Sequence, residues 1–116
     1  MKIKVIACGA IGSAMIALSA PAYAEADAKD FLAEIDKGSE LHLQILNAYA
    51  NGISWANTVL ASKDRTKLYC PPSKLAITPE QNAAILRDYI RDEPSVASAP
   101  AGLAMLAALQ ATFPCK

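Results

Sequence analysis

From residue 25 onward, apolar side chains return every three or four positions, and no stretch alternates in twos between hairpin turns. That rhythm belongs to helices and not to a sheet. Over residues 26–37, Phe31, Leu32 and Ile35 fall on one face of a short amphipathic helix. Asp27 and Asp30 stand near its electropositive start, Lys37 stands near its electronegative end, and Gly38 is placed to stop it. Ser39 can cap a longer helix over roughly residues 40–61. Leu41, Ile45, Ala48, Gly52, Ala56 and Val59 recur at helical spacing there, with Tyr49 and Leu60 alongside, and are the expected core stripe. A second face carries Asn47, Asn51, Ser54 and Thr58. No residue over 41–62 is charged at neutral pH. The pattern predicts a central helix whose polar but uncharged face meets another protein surface, of this chain or of a partner. A glycine inside a helix costs about 1 kcal/mol relative to alanine, so Gly52 is expected at a close helix–helix approach.

Residues 61–77 form a long connection, stiffened by Pro71-Pro72. Structureless loops of this length are uncommon in compact domains and are often functional. Thr78-Pro79-Glu80-Gln81 is a complete helix start, with Thr78 as cap, Pro79 at the first helical position and Gln81 closing a capping box. The helix is expected to reach about Arg91, burying Ile85, Leu86, Tyr89 and Ile90, and to end at Asp92-Glu93-Pro94. After a small-residue connection over 95–100, Ser98 or Ala99 is the expected cap of a last helix with Pro100 in its first turn. Its expected stripe is Leu103, Leu106, Leu109 or Gln110, and Phe113, and Pro114 ends it. The fold class is therefore all-α: a small four-helix domain.

The start of the chain follows another logic. Lys2 and Lys4 precede an apolar run from Val5 to Ala20, broken by Pro21 and followed by Ala22-Tyr23-Ala24. A basic end, an apolar middle and a small-x-small site are the parts of a cleavable secretory signal. The expected organisation is a signal over residues 1–24, cleavage between Ala24 and Glu25, and one domain over residues 25–116. The apolar run falls short of the roughly 20 residues of a spanning helix. Too little apolar chain precedes Cys8 for Val5-Ile6-Ala7-Cys8 to act as a lipidation box.

Cleavage changes the charge and the cysteine count. Without Lys2 and Lys4, nine basic residues face eleven acidic ones, and the basic excess of a nucleic-acid binder is missing. The acids gather early, at Glu25, Asp27, Asp30, Glu34, Asp36 and Glu40, whereas Lys63, Arg65, Lys67 and Lys74 face only Asp64 in the long connection. That connection reads either as solvated surface or as a basic loop presented to an acidic partner. Cys8 departs with the signal, leaving Cys70 and Cys115 as an even pair in an oxidising compartment, so a disulfide between them is expected. It would tie the loop between the second and third helices to the C-terminus.

Candidate chemistry is sparse. His42 is the single histidine, so no metal site of clustered Cys and His is expected, and no Ser or Asp at a suggestive spacing makes it part of a triad. The early acids are spread around a solvated helix, and no glycine-rich phosphate loop is present. Trp55 and the tyrosines are expected in the core or at an interface. Neither a cofactor nor an enzyme activity is expected.

Tyr69-Cys70-Pro71-Pro72, Thr78-Pro79-Glu80-Gln81, Leu86-Arg87-Asp88-Tyr89-Ile90, Pro94 and the closing Ala111-Thr112-Phe113-Pro114-Cys115 stand in a distinctive order and spacing. Over about residues 69–115 the chain resembles the Rap/Tai group of immunity proteins, which protect bacteria against type VI secretion amidase effectors. Tyr49-Ala50-Asn51-Gly52 is similar, more weakly, to the glycine helix of that family. Many members carry further cysteines near that helix and near the first one. Here Leu46 and Ile35 occupy those neighbourhoods, and the C-terminal pair alone is kept. The resemblance implies an all-helical, often dimeric periplasmic protein that plugs a peptidoglycan amidase with a projecting loop and catalyses nothing. Lys63, Arg65, Lys67, Tyr69 and Lys74 are then the expected partner-binding residues, and Asn47, Asn51, Ser54 and Thr58 the expected interface. No nucleic acid partner and no stable membrane insertion after cleavage are expected. The competing readings are a periplasmic acid-stress chaperone, whose carboxylates would loosen the fold on protonation, and a structural envelope protein without a toxin partner.

Overall fold

The computed structural model describes residues 25–116; the expected signal and the cleavage residue Ala24 lie outside the described residues. Four α-helices follow in order: α1 (Ala28–Asp36), α2 (Glu40–Ser62), α3 (Pro79–Asp92) and α4 (Ala101–Thr112), with a short 3-10 helix (Pro94–Ser98) between the last two. No strand occurs among the described residues.

α1 begins later than expected because Ala26 and Asp27 are drawn into extended pairing with the start of α4. Ala28 N–H donates to the Ala99 carbonyl at 2.9 Å, Ala101 N–H donates to the Ala26 carbonyl at 3.1 Å, and Asp27 forms an isolated antiparallel bridge with Pro100. Its C-terminus is the one the sequence announces. Gly38 sits at φ +92°, its N–H reaches the Ile35 carbonyl, and Ser39 N–H reaches the Glu34 carbonyl. That pair of bonds closes a left-handed helix stop which favours glycine. Ser39 then caps α2 as expected, its hydroxyl accepting from His42 N–H.

α2 turns a different face to the core from the one its pattern favoured. Leu46, Ala50 and Asn57 are buried, with Leu43 and Ile53 packed beside them. The expected stripe points largely outward. Leu41 is 67% exposed and Val59 52%, and Ala48, Gly52 and Ala56 are exposed as well. Nothing lies within 4 Å of the place a Cβ on Gly52 would occupy, so no helix approaches it within this chain. At 100° per residue, the buried and the exposed apolar sets lie on nearly opposite sides of the same helix. No charge on either side marks which one faces water.

α3 starts as the sequence says. Thr78 Oγ1 accepts from Gln81 N–H at 3.2 Å, and Gln81 Oε1 accepts from Thr78 N–H at 2.9 Å. Leu86 is fully buried, while Ile85, Tyr89 and Ile90 are half-buried against the core. The stripe of α4 meets the expected one at Leu109, which is buried, and at Leu106 and Phe113, which are half-buried; the rest is carried by the buried Ala101, Ala104, Met105 and Ala108, and Leu103 is 59% exposed. α4 is apolar almost all round, so periodicity alone does not fix its phase. Its expected caps, Ser98 and Ala99, are not used. Pro100 takes the cap position without a side-chain bond, and Glu25 Oε1 accepts from Gly102 N–H at 2.5 Å instead.

The core is assembled where Phe31 and Leu32 of α1, Leu46 of α2, Leu86 of α3, and Met105 and Leu109 of α4 meet. α4 packs against both α2 and α3, and its fully buried alanines let the helix backbones come close. The Cys70–Cys115 disulfide is formed, with an S–S length of 2.03 Å and Cα atoms 4.9 Å apart. Among the described residues no helix is long and apolar enough to cross a membrane, and no group of His, Cys, Asp and Glu could hold a metal ion.

Candidate functional site

The connection from α2 to α3 folds back along α2 and is built in two limbs around a fixed middle. Where the chain leaves α2, Asp64 takes φ +51°, its N–H bonding the Ala61 carbonyl and Arg65 N–H bonding the Leu60 carbonyl. This is the same helix stop that Gly38 makes, here achieved by an aspartate, a residue type that tolerates the left-handed region. The first limb, residues 63–67, is exposed throughout and carries Lys63, Arg65 and Lys67. The second limb, 71–76, carries Pro71, Pro72 and the exposed Lys74. None of these four cations appears in an ion pair among the described residues, where the salt bridges are Lys37–Glu34, Arg87–Asp36, Arg91–Asp88 and Arg91–Asp92.

The middle of the loop is held from several sides. Asn57, 7% exposed, donates through Nδ2 to the Tyr69 carbonyl at 2.7 Å and accepts through Oδ1 from Leu68 N–H at 2.7 Å. Gln110 Nε2 donates to the Leu68 carbonyl at 3.1 Å, and Cys70 N–H donates to the Phe113 carbonyl at 2.8 Å. Beside that bond the disulfide joins Cys70 to Cys115. Buried main-chain groups need partners, and a loop lying over a helix has no ladder of its own, so side chains of α2 and α4 provide them.

Tyr69 departs from the expectation for a partner contact. It is 4% exposed, its ring lying 6.4 Å from that of Phe113. It supports the loop from beneath and does not face outward. Lys63, Arg65, Lys67 and Lys74 do face solvent. The polar face of α2 divides likewise. Asn47 is half-buried and accepts from Asn82 Nδ2 at 3.2 Å, so it joins α2 to α3 within this chain. Asn51, Ser54 and Thr58 remain exposed and form one wall of a cleft under the loop.

That cleft brings the two expected groups together. Its outer part, about 420 Å³, lies between Ser54 and Thr58 on one side and Pro71, Pro72 and Leu75 on the other, with Lys67 at its edge. Its inner part, about 120 Å³, reaches Asn51, Ile77 and Asn82. Asn82 is 2% exposed, and its Oδ1 has no hydrogen-bond partner among the described residues. Asn57 and Asn82 are the site residues that pattern reading passes over. Asn82 gave one signal: it stands where an apolar partner for Ile77 belongs in an ordinary helix start.

Next round α2 from the cleft wall, Trp55 is 71% exposed and shares an outward strip with Val59, one turn on, and with Leu41 towards the start of the helix. It belongs to no core, so the core half of the expectation for this residue is not met. His42 is half-buried, edge-on to Phe31 at 5.0 Å and with Nδ1 2.6 Å from the Ser39 hydroxyl. It is engaged in helix capping and packing.

A family model for Rap1a immunity proteins matches residues 24–115. No curated protein and no solved structure matches the chain.

Proposed function

This chain belongs to the Rap1a immunity protein family, and on that premise we propose that it neutralises a peptidoglycan-amidase effector of a type VI secretion system by occluding its active site, catalysing nothing itself. The observation that carries the mechanism is the rigid presentation of a basic limb. Lys63, Arg65 and Lys67 are exposed and unpaired among the described residues, directly before a segment fixed by Asn57 and the disulfide. A loop ordered before binding loses little entropy on docking, and its charge speeds encounter with an acidic surface. Lys74 extends the same surface from the second limb.

The proposal includes export. Residues 1–24 are removed as a secretory signal, and the domain closes its disulfide in the periplasm. It also includes pairing of two copies, but through a different face from the polar one expected for an interface. Leu41, Trp55 and Val59 form an uncharged outward strip with Ala48 and Gly52 between them. Over residues 41–59 it runs about 27 Å. Burying it against a second copy would remove the largest exposed apolar side chains of α2 from water. Gly52 would then meet a close helix approach from outside the chain.

The test looks for a secreted amidase gene beside this one, mixes the mature, oxidised chain with that amidase and follows peptidoglycan hydrolysis. Loss of activity at equimolar inhibitor, with co-elution of the two proteins, is expected. Full hydrolysis at a large excess of the chain would overturn the proposal. Simultaneous replacement of Lys63, Arg65 and Lys67 by Glu is expected to restore hydrolysis while leaving the fold intact.

A further inference from the structure

We propose that the cleft between α2 and the proline limb receives an extended, acidic segment of the partner protein, so that the two chains interlock instead of meeting on one projecting loop. The inference rests on the reading that this chain binds an effector, and it names what the cleft takes from that effector.

The walls fit an extended chain. Such a chain carries main-chain N–H and C=O groups that need partners along its edges and side chains that alternate between faces. Here one wall offers the Ser54 and Thr58 hydroxyls and the Asn51 amide, and the facing wall is Pro71, Pro72 and Leu75. Prolines and a leucine make no competing demand for hydrogen bonds. The outer space, about 420 Å³, has room for a short stretch of chain and not for a packed helix.

The floor supplies the second observation. The nitrogen of the Asn82 side-chain amide is committed to Asn47 Oδ1 at 3.2 Å, and its oxygen, on a residue 2% exposed, has no partner among the described residues. An unpaired buried acceptor costs about 1–3 kcal/mol. A donor entering the inner part of the cleft, such as a main-chain N–H, would relieve that cost. Binding and folding would then draw on the same group.

Charge selects the segment. Lys67 lines the outer part of the cleft, and Lys63, Arg65 and Lys74 flank it along the chain without ion-pair partners among the described residues. An acidic segment is complementary to this rim and a basic one is opposed by it. A second copy of this chain does not offer such a segment, because its early acids are already engaged: Asp30, Glu34 and Asp36 lie in α1, Asp27 is paired with Pro100, and Glu25 accepts from Gly102 N–H. The cleft is also preorganised, since Asn57 and the disulfide hold the loop wall whether or not anything is bound.

The experiment titrates the isotopically labelled mature chain with a blocked Gly-Asp-Ser-Asp-Gly peptide and with its Gly-Lys-Ser-Lys-Gly counterpart. Side-chain amide signals of Asn51, Asn57 and Asn82 are followed by NMR. The acidic peptide is expected to move these signals and to bind about tenfold or more tighter than the basic one, a gap of about 1.4 kcal/mol. Ser54→Trp fills the cleft from an exposed position and is expected to abolish the shifts with an unchanged circular dichroism spectrum. No shift at these amides, equal response to both peptides, or unaltered binding by Ser54→Trp would overturn the proposal. The amidase separates the two readings. If Ser54→Trp inhibits the effector as tightly as the wild type, the cleft proposal falls and the immunity reading stands. If the acidic peptide binds in the cleft but no amidase is inhibited, the immunity reading falls alone.

Discussion

Asn57 holds Tyr69 by its main chain: Nδ2 of the buried amide donates to the Tyr69 carbonyl at 2.7 Å, while Oδ1 takes the N–H of Leu68 at the same distance. One α2 side chain thus satisfies a donor and an acceptor of a loop that has no ladder to supply them. Replacement by Ala strands both, and each buried unsatisfied group costs about 1–3 kcal/mol. Asn57→Ala is expected to lower unfolding stability by about 2–6 kcal/mol, read as a fall in the urea midpoint at constant slope. Asn57→Asp keeps the acceptor but buries a carboxylate against the Tyr69 carbonyl oxygen, and should be at least as destabilising as Ala at neutral pH. Equal stability of all three proteins would show that the loop is held elsewhere.

The Cys70–Cys115 bridge constrains the same loop through the unfolded state. It closes a separation of 45 residues, for which loop-closure entropy gives about 4 kcal/mol in the chain-entropy model. Against a typical net stability of about 5–15 kcal/mol for a domain, this is a large share. The Cys70→Ser/Cys115→Ser double variant is expected to be strongly destabilised in chemical denaturation. The hydrogen bonds from Asn57 remain in it, so loop amides near Leu68 should keep partial protection from hydrogen exchange. Uniform loss of protection would mean that the bridge alone orders the loop.

These two supports differ in how far they could be read from the sequence, and the difference is physical. Cys70 and Cys115 are the two cysteines left outside the expected signal and are each other's simplest partner, and Thr78, Gln81 and Gly38 act through bonds to near neighbours, so each is legible locally. Asn57 is not, because its partners lie 11 and 12 residues on and a lone Asn among apolar positions signals a polar face. The phase of α2 fails for a related reason. Leu46, Ala50 and Ile53 face the core while Leu41, Trp55 and Val59 face out, and both sets recur at 3.6 residues. In most helices charged side chains settle which set is exposed; here none is present over residues 41–62. The cleft needed the loop folded back on α2, which no spacing within either element encodes.

The start of the domain gives a pH-dependent prediction. Glu25 accepts from Gly102 N–H at 2.5 Å and reaches the Tyr49 hydroxyl. Burial, and then the hydrogen bond and charge of Glu25, push the Tyr49 hydroxyl above its ordinary value of 10.0. The native state therefore keeps this proton at pH values where the unfolded chain has lost it. Stability from this group is full below about pH 10 and declines as pH rises through the raised native value. Tyr49→Phe is expected to reduce the alkaline slope of stability above pH 10, measured by urea unfolding at a series of pH values. An unchanged slope would place the alkaline sensitivity in other groups.

The same corner contains a coupled pair. A Cβ on Gly102 would lie 2.9 Å from Glu25 Oε1, the movable end of a side chain. Gly102→Ala alone gains helix propensity and displaces the Glu25 carboxylate, so the two effects offset to within about 1 kcal/mol. In a Glu25→Ala background the carboxylate is absent, and the same substitution should stabilise by up to about 1 kcal/mol. A double-mutant cycle reads the difference. Strict additivity would show that Glu25 does not cap α4 in solution.

Trp55 tests pairing of two copies. It is 71% exposed and lines neither part of the cleft. Trp55→Lys places a charge in the outward strip without touching the core, so monomer stability should change by no more than about 0.5 kcal/mol. The wild type is expected to elute as a dimer by size-exclusion chromatography with light scattering, and Trp55→Lys as a monomer. A wild type that stays monomeric over the accessible concentration range would remove this strip as a self-association surface.

Asp64 joins stability to binding in one residue. It occupies the left-handed stop after α2 at φ +51°, a conformation that glycine adopts without steric cost. Its side chain makes no hydrogen bond or ion pair among the described residues, and it is the single acid among the cations of the loop. Asp64→Gly should keep the helix stop with a stability change within about 1 kcal/mol, because relief of the left-handed strain and the greater freedom of the unfolded glycine oppose each other. It also removes the negative charge between Lys63 and Arg65. If the basic limb steers the chain to an acidic partner, Asp64→Gly binds faster than the wild type at low salt, with little change in dissociation rate, and the gain disappears as salt is raised. Stopped-flow association at two ionic strengths separates this from a change in contact, which would appear in the dissociation rate. A slower association with intact folding would mean that Asp64 itself touches the partner, and the sign of the loop's contribution would have to be reversed.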